Sequence, residues 1–159
     1  MTLTLLKNAS LADVKYELAR MLSEGIMSSN VRQLTEQVTT GKEDKIAAVF
    51  DFIRTTFPYS SDPYGKELFI HPNRVTLDYY SDRIRQMDCD DFALLSGAML
   101  GSIGYVVRIA LLDTNFDLEI DHAIAQVNTE LGWLNIDASN ERPLGWYIES
   151  MVTEYVNTI

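Results

Sequence analysis

The order of the hydrophobic patterns predicts an α+β fold: helices first, one central apolar helix, then an antiparallel sheet. Three observations predict it. Helix-spaced apolar stripes fill residues 10–56, another helical pattern opens at Cys89, and after Gly104 the pattern turns to short strand-like runs. The chain has 159 residues, 47% of them hydrophobic and 23% charged, which suits one domain with a core of its own. We read 1–159 as that single domain, with 1–42 a helical N-terminal extension and 43–146 the catalytic core.

Residues 10–24 carry Leu11, Val14, Leu18, Met21 and Leu22 at helical spacing, with Ser10 placed to cap them. Residues 28–39 form a second helical pattern through Val31, Leu34 and Val38, and Gly25 and Gly41 punctuate the two. Residues 43–56 give a stronger helix, striped by Ile46, Val49, Phe50 and Ile53. Residues 57–78 hold three of the four prolines and several aromatics. They read as a long loop with turns at Asp62-Pro63 and His71-Pro72-Asn73, and a long structured loop in a compact domain is often functional. Residues 89–101 are the central helix, with Phe92, Leu95 and Met99 on one face and Ala93, Gly97 and Ala98 permitting close packing. Tyr105–Leu112 is apolar apart from Arg108 and reads as a buried strand. His122–Val127 and Trp133–Asp137 read as two more strands, and 145–157 as a short closing helix.

The net charge of −10 argues against nucleic acid and anionic membranes as partners, since no Lys/Arg cluster offers a local exception. A single cysteine excludes an intramolecular disulfide and suits a reducing compartment. The N-terminus does not read as a signal peptide, because Lys7, Asn8 and Asp13 break its apolar stretch. No run reaches the roughly 18 apolar residues of a membrane span. A whole, mature, soluble cytoplasmic chain is therefore expected. No cofactor or metal is expected either: one Cys and two His are too few for structural zinc. Asp113, Asn115, Asp117, Glu119 and Asp121 alternate as calcium ligands do, but Leu118 stands where an EF-hand needs Gly and Ile124 where it needs Glu. That stretch reads as a solvated acidic loop, mobile over a cleft.

Cys89 opens the central helix in the run Met87-Asp88-Cys89-Asp90-Asp91. A thiol there faces unpaired N–H groups and the positive end of the helix dipole, both of which favour the thiolate. Asp88 is placed to cap, while Asp90 and Asp91 oppose a second negative charge, so a histidine is needed nearby. If the last two strands turn at Thr129-Glu130, His122 lies directly opposite Asp137, on the same face of the sheet and about 4.5–5.5 Å away between Cβ atoms. One imidazole nitrogen then meets the carboxylate and the other is free for the thiol, the nucleophile–base–orienter arrangement of a triad. Each residue alone has a plainer reading, as a small core thiol, a surface histidine or a strand-ending aspartate. Their order and shared geometry favour catalysis.

The run Asp88-Cys89-Asp90-Asp91-Phe92-Ala93-Leu94-Leu95, with Leu100 and Ile103-Gly104, resembles the nucleophile helix of transglutaminase-like proteins, which are related to papain. Asp121-His122-Ala123 and Trp133 through Ala138 look like that family's His strand and its W-x-x-x-D strand. Phe57-Pro58-Tyr59, Asp62-Pro63, Glu67 and Pro72 resemble a segment of its bacterial and bacteriophage members, and Gly145-Trp146 also fits. The likeness spans about residues 44–146. It implies a papain-like, transglutaminase-like core and a covalent mechanism: Cys89 attacks an amide carbonyl of a protein or peptide substrate, His122 protonates the leaving amine, and Asp137 fixes the imidazole tautomer. The oxyanion would rest on the Cys89 backbone N–H and a side-chain donor, for which Gln86 and Tyr59 are candidates. Gln86 is equally a solvated loop residue, and Tyr59 a core aromatic. His71, Asp88 and Trp146 are cleft-lining candidates, although loop packing suits His71 better, and core packing suits Trp133 and Trp146. The chain departs from the family at Met87, where glycine is usual, and the bulk there is expected to narrow the entrance or alter the loop. The family includes peptidases, transglutaminases, deamidases and silent members, so a non-catalytic binding or assembly protein of a virus or prophage is the competing expectation.

Overall fold

The computed structural model describes residues 3–7, 10–61, 66–151 and 153–159, with backbone alone for 3–7, 66, 67 and 153. The expected Asp62-Pro63 turn lies outside the described residues, as does the Glu67 side chain. The chain runs β1 (Leu3–Lys7), α1 (Leu11–Met27), α2 (Ser29–Thr39), α3 (Lys45–Thr56), β2 (Lys66–Ile70), α4 (Pro72–Tyr80) and α5 (Cys89–Ser102), then β3 (Val107–Leu112), β4 (His122–Thr129), β5 (Gly132–Ile136) and β6 (Thr153–Val156). β3 to β6 form an antiparallel sheet in the order β5-β4-β3-β6, and β1 pairs with β2 antiparallel. This is the expected α+β architecture.

Local chemistry fixes the helix starts. Ser10 and Asp13 form a reciprocal capping box on α1, Ser28 caps α2 and Asp44 caps α3. α5 is apolar all round, and residues 91–100 are all buried. It is the core: α1 supplies Leu18, Met21 and Leu22, α2 supplies Val31 and Leu34, α3 supplies Val49, Phe50 and Ile53, and the sheet supplies Ile109, Leu111, Ala123, Ala125 and Val127. Gly25 is not a punctuation mark but an interior residue of α1, at a close crossing. A Cβ there would sit 2.9 Å from both Ala98 and Pro72.

Three expectations change. Residues 57–78 are not one loop: they contain β2 and the start of α4. The supposed turn at His71-Pro72-Asn73 is the start of α4, with Pro72 in the first turn, where its missing N–H costs nothing. The tail ends in β6, which adds an edge strand to β3, rather than in a helix. No helix among the described residues is long and apolar enough to cross a membrane.

Candidate active site

α5 begins at Cys89, and Asp88 and Asp91 form a second reciprocal capping box around it. Asp91 is buried, and its other oxygen accepts the Ile70 N–H at 2.9 Å, which fastens the end of β2 to the first turn of α5. Burial and the adjacent Asp88 push the Asp91 carboxyl upward, against the N–H bonds from Ile70 and Asp88.

The β4–β5 hairpin turns at Glu130-Leu131, not Thr129-Glu130. Thr129 pairs with Gly132 and Ala125 with Ile136, a register two residues from the expected one. A two-residue shift preserves the face. His122 is therefore diagonal to Asp137 rather than opposite, and the longer span is closed by the side chains: His122 Nε2 lies 2.7 Å from Asp137 Oδ2. Pairing with β5 ends at Ala125, so β4 continues past its neighbour. The Ala123 N–H, on the stretch that pairs with β3 but that β5 leaves uncovered, reaches the Cys89 thiol. One strand thus brings a backbone donor to Cys89 and the next residue back, His122, to Asp137.

Asp137 is gripped from every side. Ser139 gives Oδ1 its hydroxyl at 2.6 Å and its N–H at 3.2 Å, and Asn140 Nδ2 reaches Oδ2 at 2.8 Å. Desolvation pushes this carboxyl upward, but the bonds from His122 and Ser139 outweigh it and hold Asp137 below the usual range. Ser139 and Asn140 escaped sequence reading. Their signal was only a polar Asp-Ala-Ser-Asn turn, which is ordinary turn chemistry.

The thiol departs from expectation. Burial pushes Cys89 above its ordinary value, Asp90 and Asp88 add to this, and the Ala123 N–H only partly opposes them. The helix start does not leave a resting thiolate. Met87 also differs from expectation: its side chain is buried in the core and does not narrow an entrance. The backbones of Met87 and Tyr59 form a parallel bridge, tied by Met87 N–H to Pro58 O at 3.0 Å and Ser60 N–H to Met87 O at 2.8 Å. This ties the Tyr59 backbone to Met87, two residues before Cys89. Tyr59 is 53% exposed, so it is not a core aromatic, and Gln86 is exposed as well.

A groove of about 610 Å³ opens at His122 and Asp137. None of the three expected cleft residues lines it. Asp88 is buried as a cap. His71 is buried away from it as the N-cap of α4, with Nδ1 accepting from the Asn73 N–H at 3.1 Å and Nε2 3.3 Å from Glu24. Trp146 is half exposed beside the groove's Arg142, whose guanidinium lies 5.6 Å from the ring. Trp133 is also part-exposed, stacked on the Arg108 guanidinium at 3.9 Å. The acidic loop 113–121 is compact rather than open. Asp113 is fully buried and accepts the Asp117 and Leu118 N–H groups, while Asp121 accepts from the Thr114 and Asn115 N–H groups and the Thr114 hydroxyl. Asp113, Asp117 and Asp121 do converge, but these bonds occupy the oxygens of Asp113 and Asp121.

No protein-family model and no curated protein matches the chain. Solved structures do. A proposed cysteine protease from Cytophaga hutchinsonii superposes with a TM-score of 0.54 at 18% identity, over 86% of this chain and 49% of that one. A proposed protease from Parabacteroides distasonis gives 0.53 at 14% identity, over 79% of this chain and 26% of that one. The chain therefore spans about half the length of the first and a quarter of the second. It shares their fold.

Proposed function

We propose that the protein is a cysteine-nucleophile hydrolase or acyltransferase acting on peptide or isopeptide amides. The observation that carries this reading is the His122–Asp137 bond of 2.7 Å, made where β4 outruns β5 and donates the Ala123 N–H to Cys89. Because the resting thiol is protonated, the attack is base-assisted. As Sγ bonds to the carbonyl carbon, its proton passes to His122 and the carbonyl electrons move onto oxygen. Collapse of that oxyanion breaks the C–N bond, and His122 returns the proton to the leaving amine. The thioester is then resolved by water or by an amine. Asp137, ionised and held by Ser139 and Asn140, steadies the imidazolium formed in between. The Cys89 N–H, at the head of α5 and without an intrahelical acceptor, faces the oxyanion, with Tyr59 or Gln86 as the second donor.

The test needs no natural substrate. An activated ester such as p-nitrophenyl acetate should acylate Cys89 and turn over, with the adduct located by mass spectrometry. Cys89→Ala should lose it and His122→Ala should slow it. Acylation at Cys89 with equal rates in wild type and His122→Ala would remove the catalytic role of His122.

The raised thiol favours a second reading, a catalytically silent protein that serves in binding or assembly. In that case no Cys89 acyl adduct forms.

A further inference from the structure

His122 and Asp137 line the groove and Cys89 does not. On the mechanism proposed above, His122 hands its proton to the departing amine, so the leaving group must emerge on the His122 side. The groove is where that part of a substrate would rest.

Its walls have a definite chemistry. Phe116 and Ile148 give it apolar surface, and Asp121, Glu149 and Arg142 line it with charge. Phe116 is 49% exposed, on a loop whose Asp117 and Glu119 also face solvent. Among the residues that line the groove, Asp121, Asp137 and Glu149 outnumber Arg142. Phe116 and Leu118 hold positive φ values of 58° and 70°, unusual for such side chains. The buried Asp113 carboxylate holds the loop in this form, accepting the Asp117 and Leu118 N–H groups at 3.2 and 2.7 Å. A relaxed loop could fold these apolar side chains inward. This one is pinned with Phe116 at the groove and Leu118 exposed.

We propose that this groove binds the leaving-group side of a polypeptide substrate, accepting an apolar side chain against Phe116 and Ile148 with basic residues next to it. The carboxylates attract the basic residues and repel an acidic segment. The selectivity rests on the catalytic reading only for the groove's direction, so binding tests it without turnover.

The experiment titrates ¹⁵N-labelled Cys89→Ala protein with three acetylated hexapeptides. One has a leucine followed by two lysines, one a leucine followed by two glutamates, and one a glycine followed by two lysines. The leucine–lysine peptide should shift amides of 114–121 and 140–149 and bind roughly tenfold more tightly than the glycine control, the loss expected for one unburied apolar side chain, and several-fold more tightly than the glutamate control, which the groove's carboxylates repel. Phe116→Asn, which keeps a residue tolerant of positive φ, should erase the leucine preference. Glu149→Lys should weaken the lysine preference. Equal binding of the three peptides, no binding, or shifts confined to other surfaces would overturn the proposal. Acylation of Cys89 dependent on His122 would leave the catalytic reading standing in each of those cases.

Discussion

Asp137 receives His122, Ser139 and Asn140 on its two oxygens. Asn140 also accepts the Arg142 N–H at 2.9 Å, so one amide ties the carboxylate to the groove wall. Asn140→Ala should leave the fold intact and lower turnover of an activated ester, with the pH–rate profile displaced as the imidazolium loses support. Asn140→Asp places a second carboxylate against Asp137 and should be worse than alanine. Equal effects of the two variants would mean that the amide acts only as loop packing. Asp90 acts on the nucleophile itself, since its charge raises the thiol. Asp90→Asn should therefore speed alkylation of Cys89 at pH 8 by several-fold.

Two elements set the pH response. In the first turn of α5, Asp91 holds its proton more tightly folded than unfolded. Its contribution to stability is fully present below its unfolded value of about 3.9 and fades as pH rises through the raised folded value. Asp137 and Asp113 are shifted the other way, and their contributions fade as pH falls below about 4. The melting temperature should therefore decline on both sides of a mildly acidic maximum. Asp91→Asn should flatten the alkaline side; an unchanged alkaline slope would contradict the assignment.

The β4–β5 hairpin shows how much of the site was legible. Alternation placed His122 and Asp137 on one face correctly, because parity survives a two-residue slip. The register was missed, because within Asn128-Thr129-Glu130-Leu131-Gly132 only the glycine marks where the turn falls. Gly132, at φ 106°, was the available signal for a turn one step later. The strong stripes of α1, α2, α3 and α5 were also legible. β1, β2, α4 and β6 were not, and the N-terminal stretch expected to be helical throughout opens with β1: Pro72 reads equally as a turn or a helix start, and four- and five-residue strands offer too few positions to establish a period. The raised thiol was missed because burial, invisible in sequence, outweighs the helix start.

Across the whole molecule, the N-terminal helices belong to the same core as the site. Leu18, Met21 and Leu22 pack with α5 and the sheet, and Gly25 lets α1 approach Ala98 and Pro72. Gly25→Ala would gain about 1 kcal/mol of helix propensity. Overpacking against the Pro72 ring and the Ala98 Cβ costs roughly 1–3 kcal/mol. The variant should melt at or below the wild-type temperature, and a clear rise would contradict this packing. Leu22→Ala should cost roughly 2–5 kcal/mol in denaturant unfolding. It should move the near-UV and far-UV transitions together, as one cooperative unit requires.

The most direct test of the central claim is the rate of Cys89 alkylation by iodoacetamide across pH 5–10, in wild type and His122→Ala. The wild type should react near neutral pH through a His122-dependent phase. The variant should lose that phase and join the wild-type curve only well above the free-cysteine value of about 8.5, where the thiol ionises unaided. Superimposable profiles would show that His122 does not act on Cys89 and would contradict the triad.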